Sequence, residues 1–430
     1  MSGLDALLDL AALPEENIPE PSRAIAHLSL MDWMACGRAG LAEPVADILR
    51  ELARAEGGTG EAALFGGGRA PARMAALVNG TISHALDYDD THFAHVGHLS
   101  VGIYPAALAA GEAVGAKAGA VRAAFAVGAE AAIRVGLALG RAHYERGFHQ
   151  TATAGAFGAT IAAGRLMGLD RGRMRAAIGL CATRATGLRC QFGTMGKPYN
   201  AGVAASAGVE CAQLARAGMT APDDGLFGQN GYLATHSDAP GEIEAPRGAW
   251  LLDEVKYKLH ACCHGTHAMI EALQGAADMN EVRALHLRTN PRWLTVCDIK
   301  APRTGLEVKF SYAWLAGMAL RADATGSDRH YTDALAADPA LADFARRVRV
   351  EGDARLTDMQ AEGEITFADG STRTFAHDLA APIPAQMLAR SLRAKAAALL
   401  GPPGEALCDA LERLEGKDAR ALGDVLGGAS

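Results

Sequence analysis

The run AALAAGEAVGAKAGAVRAAFAVGAEAAIRVGLAL, Ala106–Leu139, decides the fold class. It is long enough and apolar enough to suggest a membrane span. Glu112, Lys117, Arg122, Glu130 and Arg134 interrupt it, however, and no window of about 20 residues is free of charge, as a span would require. The run therefore predicts buried helices in a water-soluble core. Its alanines and glycines let neighbouring helices approach closely. The whole chain shares that character, with 50 glycines and only 5% aromatic residues. Tightly packed helices are expected rather than a sheet-built core. A chain of 430 residues, half of them hydrophobic, can bury a large core and forms two domains or one large one.

On the N-terminal side of this run lies a different kind of sequence, NGTISHALDYDDTHFAHVGHLS, Asn79–Ser100. Up to Asp87 its pattern is helical, with Ala85 and Leu86 continuing the apolar side of Ala75, Ala76, Leu77 and Ile82. His84, Asp87, Tyr88 and Thr91 are spaced i, i+3, i+4 and i+7, so a continued helix would align them on one face. Beyond Asp90 the period dissolves. Gly97 permits a sharp turn, and His98 precedes a new apolar helix with Ser100 as N-cap. Asp89 and Asp90 are expected to end the first helix and face water. His84 and His92 are expected to be satisfied or solvated rather than catalytic. Asp89, His92, His95 and His98 are ligand types that suit a metal, but nothing in their spacing fixes a geometry, and none is expected.

NGTISHALDYDDTH resembles the signature of the MmgE/PrpD family, whose members dehydrate, decarboxylate or epimerise small polycarboxylic acids. Three further segments carry the resemblance over nearly the whole chain. HYERGFHQTATAGAFGATIAAGRLMGL, residues 143–169, is similar to the family's glycine-aromatic-histidine element, which implies that His149 lines an active site. QFGTMGKPYNAG, residues 191–202, resembles the family's GTMxKP motif. There Lys197 stands at the mouth of a helix, where its ammonium and the free backbone N–H groups together suit a carboxylate. VKYKLHACCHGTHAMIEAL, residues 255–273, aligns Lys258 with a family lysine, and Cys263 falls where some members have histidine. This chain departs from the family pattern at His260-Ala261, where a Tyr-Pro or Phe-Pro pair is common. It departs again at Leu99, and at Trp314, which stands at the position of a lid tyrosine while Tyr312 lies two residues earlier. Cys262, Cys263, His264 and His267 are too crowded for a zinc site without a second cluster.

Other segments are plainer. Residues 1–55 read as helices broken at Pro14, Pro19 and Pro21, and Gly57–Arg73 as a flexible glycine-rich connection without the Lys-Ser/Thr of a phosphate loop. Past residue 275, Val282–Arg288, Arg347–Glu351, Ala361–Phe367 and Thr372–His377 alternate like strands, with Asp369-Gly370 as a hairpin turn. Helical pattern returns at Ala385. The fold expected is mainly α. A large discontinuous helical domain (residues 1–257, with C-terminal helices 388–430 returning to it) would carry an inserted α+β lid domain (258–387).

Taken together, the resemblance implies a pocket of Asp87, Thr91, His98, His149, Lys197 and Lys258, with Cys263 and Tyr312 or Trp314 on the lid side. His98 and His149 would move a proton, Asp87 would orient a histidine, and Thr91 would hydrogen-bond. Lys197 and Lys258 would hold anionic charge. That set suits a cofactor-independent lyase, a dehydratase or decarboxylase of a small di- or tricarboxylic acid. An epimerase or isomerase of a small dicarboxylate, or a non-catalytic carboxylate-binding protein, would use the same groups. No metal and no cofactor is expected. The net charge of −8 gives no nucleic-acid footprint. Eight scattered cysteines and an acidic N-terminus without a basic leader fit a reduced, cytoplasmic protein without a membrane partner. A homodimer is implied by the resemblance alone.

Overall fold

Small residues set the distances between helices in this protein. The computed structural model describes residues 2–414 and 416–427. The chain divides into two units, one running to Tyr257 and resuming at Leu400, the other Lys258–Leu399.

The first unit begins with α1 (Gly3–Ala11), α2 (Glu20–Gly40) and α3 (Pro44–Glu56). Pro21 does not break α2. It sits in the first turn, where a missing N–H costs nothing. The glycine-rich connection folds into a small hairpin, β1 (Ala62–Ala63) with β2 (Arg69–Ala70), turned through three glycines at positive φ, Gly66, Gly67 and Gly68. Next come α4 (Ala72–Ser83), α5 (Ser100–Val114), α6 (Ala118–Arg146), α7 (Gln150–Leu166), α8 (Arg171–Arg184), α9 (Gly196–Arg216) and α10 (Tyr232–His236).

Helix α7 is the core, buried without interruption from Gln150 to Gly164, and α5, α6, α8 and α9 pack around it. Gly128 of α6 and Gly158 of α7 meet backbone to backbone. A Cβ on either would run into the other's carbonyl oxygen. Gly80 of α4 and Gly202 of α9 make a second such crossing. Helix α6 is long and apolar enough to cross a membrane, yet 83% of its apolar window is buried inside the fold, as the charged interruptions predict. Gly140 kinks it, with φ 75° and ψ 171°.

The second unit carries α11 (His267–Leu273) and a four-stranded sheet made of β3 (Val282–Thr289), β4 (Val348–Gly352), β5 (Gln360–Phe367) and β6 (Thr372–Asp378). The strand order is β4-β3-β5-β6, with β3 and β4 parallel and the other pairs antiparallel. Leu285 is in register with both Val348 and Ile365. Between β3 and β4 lie α12 (Gly305–Val308), α13 (Tyr312–Leu320), α14 (Asp333–Ala336) and α15 (Pro339–Ala345), and α16 (Ala385–Leu400) follows the sheet. From residue 388 to 399 this helix groups with the second unit. Leu392, Ala396 and Leu399 are buried, and Ala398 lies beside Gly326. The chain rejoins the first unit at Leu400, later than the expected position 388. There α17 (Pro402–Glu412) packs on α2, and α18 (Ala419–Leu426) packs on α5 and α6.

Candidate active site

Helix α4 stops at Ser83, four residues short of the expected Asp87. Asp87 itself has φ +50°, a left-handed conformation that aspartate tolerates better than most residues and that no helix accommodates. The expected alignment of His84, Asp87, Tyr88 and Thr91 on one helix face is therefore undone. The unwound turn brings Asp89 and Asp90 inward, and both are fully buried rather than facing water.

Asp90 closes the segment that follows. Its Oδ1 accepts the N–H groups of Leu99 and Ser100, at 3.2 and 3.1 Å, and its Oδ2 accepts the Ser100 hydroxyl. The start of α5 is thus held by Asp90, while Ser100, expected as the N-cap, is the first helical residue. Inside this closure His92 N–H donates to Gly97 O at 2.8 Å. His92 Nε2 donates to Leu251 O at 2.9 Å, and its Nδ1 accepts the His95 N–H at 3.1 Å. Burial pushes the His92 imidazole down to about 4 and that of His95 to about 3. Thr91 pairs through its backbone with Lys256 in both directions, at 2.7 and 2.8 Å.

Asp89 lies between two imidazoles. His84 Nδ1 is 2.8 Å from its Oδ1. His98 Nδ1 is 2.7 Å from its Oδ2, off the N–H axis. Burial alone would raise the Asp89 carboxyl, but the charges of His84 and His98 hold it well below the usual range. Burial brings His98 down to about 4 against the opposing pull of Asp89. On its other side, His98 Nε2 is 3.4 Å from Asp87 Oδ1, and Asp87 Oδ2 is 2.5 Å from the Lys197 ammonium. Asp87 and Lys197 are the more open members of the group, with the Asp87 side chain 46% exposed.

His149 precedes α7 and is anchored by its N–H to Gly187 O at 3.0 Å. Its ring lies 6.2 Å from that of His84 and meets the edge of Phe192 at 5.0 Å. Asn200 Nδ2 donates to Leu188 O and to His149 Nδ1, both at 3.1 Å. The carbonyl partner fixes the amide orientation, so His149 Nδ1 accepts and its proton is on Nε2. Burial, then the charges of His84 and Lys197, hold His149 well below its ordinary value. It is a neutral hydrogen-bond donor. Lys197 and Asn200 stand one turn apart at the start of α9.

The remaining expected residues belong to the second unit. Lys258 is buried and lies within electrostatic reach of His267, which it helps burial to depress. The Cys263 thiol hydrogen-bonds that of Cys297, whose pKa it raises together with burial. Tyr312 is fully buried. Its hydroxyl donates to Gly265 O at 2.8 Å and lies 3.1 Å from Thr289 Oγ1, so it serves the interior of this unit. Trp314 is buried, its indole N–H has no hydrogen-bond partner among the described residues, and Ser311 caps its backbone N–H.

Sequence reasoning did not single out Asp89, His84 or Asn200 for the site. The signal for Asn200 was present, three residues after Lys197 at a helix start. Asp89 had no such signal, because its inward turn depends on the αL break at Asp87. Among the described residues, the donor atoms that lie together, within 4.8 Å, are those of His84, Asp87, Asp89 and His98. The Lys197 ammonium already occupies the open edge of that set.

Residues 10–242 match the MmgE/PrpD N-terminal domain, and residues 260–405 match the MmgE/PrpD C-terminal domain. The chain belongs to the MmgE/PrpD family. Among characterised relatives, the cis-aconitate decarboxylase of Aspergillus terreus is 28% identical over 304 residues, covering 64% of this chain and 62% of that protein. A cis-aconitate decarboxylase-like protein of Aspergillus oryzae is 30% identical over 284 residues, 61% of this chain and 58% of its own length. The human cis-aconitate decarboxylase is 28% identical over 216 residues, 47% and 44% of the two chains. The match therefore spans about three fifths of the fungal relatives and less than half of the human one. In this MmgE/PrpD chain the segment that leaves α4 after Ser83 and runs to His98 builds the Asp87–Asp89–His98 cluster.

Proposed function

We propose that this MmgE/PrpD protein is a lyase that removes CO2 or water from a small di- or tricarboxylic acid. The observation that carries the reading is the chain of contacts from Lys197 through Asp87 to His98, an ammonium and an imidazole on either side of one half-open carboxylate. A substrate carboxylate competes with Asp87 for the ammonium. Its α-carbon then comes within reach of the imidazole.

Both reactions build negative charge next to a carboxylate. In dehydration a base takes the α-proton and hydroxide leaves the neighbouring carbon. In decarboxylation the C–C bond to CO2 breaks, and the electron pair left on carbon takes up a proton. His98, which burial keeps neutral near pH 7, serves as the base. A bound polyanion raises its proton affinity and makes it the donor in the decarboxylation. His149 offers Nε2–H to a substrate oxygen without adding charge, and Lys197 neutralises the developing anion. Lys258 and Cys263 carry their proposed roles on the family resemblance alone.

Proton NMR of the purified protein in D2O with citrate-like, aconitate-like and aspartate-derived acids tests the reading. A new alkene, or one carboxylate fewer, is the expected result. Deuterium entering an α-position without change of composition would make the protein an epimerase or isomerase. Ligand-induced stabilisation with no turnover would make it a binding protein.

A further inference from the structure

We propose that Asp89, bridging His84 and His98, is the positioning residue that fixes His98 as the Nδ1–H tautomer and so leaves Nε2 as the nitrogen that exchanges a proton with substrate. The inference deepens the reading of His98 as the proton-transfer group and rests on it.

The carboxylate is the starting point. Asp89 is fully buried; its Oδ1 is hydrogen-bonded to His84 Nδ1 at 2.8 Å, and its Oδ2 lies 2.7 Å from His98 Nδ1, off the N–H axis. An ionised carboxylate only accepts, and a ring lone pair at that distance would repel it. His84 Nδ1 therefore donates, and of the two His98 nitrogens Nδ1 lies nearer a carboxylate oxygen, at 2.7 Å against 3.4 Å from Nε2 to Asp87, so a single ring proton is held at Nδ1. A neutral His98 with its proton on Nδ1 has its lone pair on Nε2. That nitrogen points to the more open side, where Asp87 and Lys197 lie.

His84 gives the carboxylate a second anchor. Its ring packs 4.5 Å from that of His98, and it donates to the other oxygen. Asp89 cannot rotate without breaking that bond, so the imidazole of His98 meets a fixed partner. When His98 accepts a proton at Nε2, the cation lies between Asp89 and Asp87. The other charged or titratable groups near it are His149, His95 and, beside Asp89, Asp90.

The test reads the tautomer directly. In the full chain with ¹⁵N-labelled histidine, the two ring nitrogens of His98 are assigned by comparison with His98→Gln. The expected spectrum near pH 7 has a pyrrole-type Nδ1 and a pyridine-type Nε2. In Asp89→Asn the amide can donate to Nδ1, and the proton moves to Nε2. Turnover then falls by about 10²–10⁴-fold with KM little changed, as follows when a buried carboxylate that orients a catalytic histidine is replaced. The acid limb of the rate profile also shifts to lower pH, because a neighbouring negative charge is lost. A native His98 protonated on Nε2 would overturn the proposal whatever the enzyme acts on. So would an Asp89→Asn protein with unchanged tautomer and turnover. The native spectrum needs neither substrate nor a folded variant. If turnover is absent on every acid while the spectrum is as expected, the lyase reading fails and the tautomer assignment stands.

Discussion

The Asp90 carboxylate accepts the backbone N–H of Ser100, ten residues further along the chain, at 3.1 Å. With Leu99 N–H and the Ser100 hydroxyl as further donors, it fixes where the segment bearing His98 ends and α5 begins. This closure is made by a carboxyl group in a dry place. Burial, then the neighbouring Asp89, raise the Asp90 carboxyl from 3.8 to about 7, against the pull of Ser100. In the unfolded chain it ionises near its ordinary value, so between pH 4 and 7 the folded state holds more protons. Its contribution to stability is therefore complete below pH 4 and is lost as pH rises through 7. A gap of that size corresponds to roughly 4 kcal/mol. Asp90→Asn keeps the acceptor for both amides and cannot ionise. Denaturant unfolding of both proteins from pH 4 to 8 should show the wild type losing stability relative to Asp90→Asn as pH rises. Parallel curves would show that Asp90 ionises equally in both states.

Much of the helical scaffold was legible because small apolar residues recur at helical spacing over long stretches. Helix α6 and the strands β3 to β6 fall close to where periodicity put them. The histidine loop was less legible, for a local reason. Reading His84 to Thr91 as a helix gives one face, whereas a single αL residue at Asp87 gives the opposite sense to Asp89 and Asp90. Periodicity assumes continuity, and it has no way to register a break that tertiary burial stabilises. Lys197 and His149 were found through the family motif. Their supporting amide, Asn200, became visible only when the hydrogen bonds to Leu188 and His149 were seen.

The crossing of α6 and α7 at Gly128 and Gly158 leaves no space for a methyl group. A Cβ on Gly158 would also stand 2.8 Å from the Ala132 Cβ. Gly→Ala usually gains about 1 kcal/mol in a helix interior. Here overpacking against backbone costs about 1–3 kcal/mol or more, and the cost wins. Gly158→Ala should lower the thermal midpoint. Alanine at Gly155, where a Cβ meets nothing within 4 Å, is the matched control and should be neutral or stabilising. A Gly158→Ala protein as stable as Gly155→Ala would contradict the close crossing.

His95 is wholly buried, and neither ring nitrogen has a hydrogen-bond partner among the described residues. Gly136 of α6 and Gly97 give it room, since a Cβ at either would meet the ring. Burial, then the charges of His92 and His98, depress it to about 3. The unfolded chain binds its proton near 6.5, so between those values the unfolded state holds more protons. Stability is present above pH 6.5 and is lost as pH falls towards 3, by roughly 4–5 kcal/mol for this one group. His95→Leu, of similar volume, should flatten that part of the acid limb in denaturant titrations. Equal acid sensitivity in both proteins would mean that His95 is protonated as readily inside the fold as outside it.

Lys197 has two roles that one substitution separates from folding. Its side chain is 16% exposed, and its ammonium pairs with the half-open Asp87 and sits 5.4 Å from the Phe192 ring. A pair this open adds about 1 kcal/mol or less to stability. In the proposed reaction the same charge is asked to hold a substrate carboxylate and to offset the charge that grows when CO2 or water leaves. Removing a preorganised group of that kind costs about 10²–10³-fold in turnover. Lys197→Met keeps the length and apolar stem of the side chain. It should leave the unfolding free energy within about 1 kcal/mol of the wild type, while kcat/KM falls by that factor on the acid the NMR panel identifies. Lys197→Arg, which keeps the charge but spreads it over a planar fork, should restore part of KM and little of kcat. A Lys197→Met enzyme with full kcat would remove the ammonium from the chemical step and leave Asp87 and His98 to be explained without it.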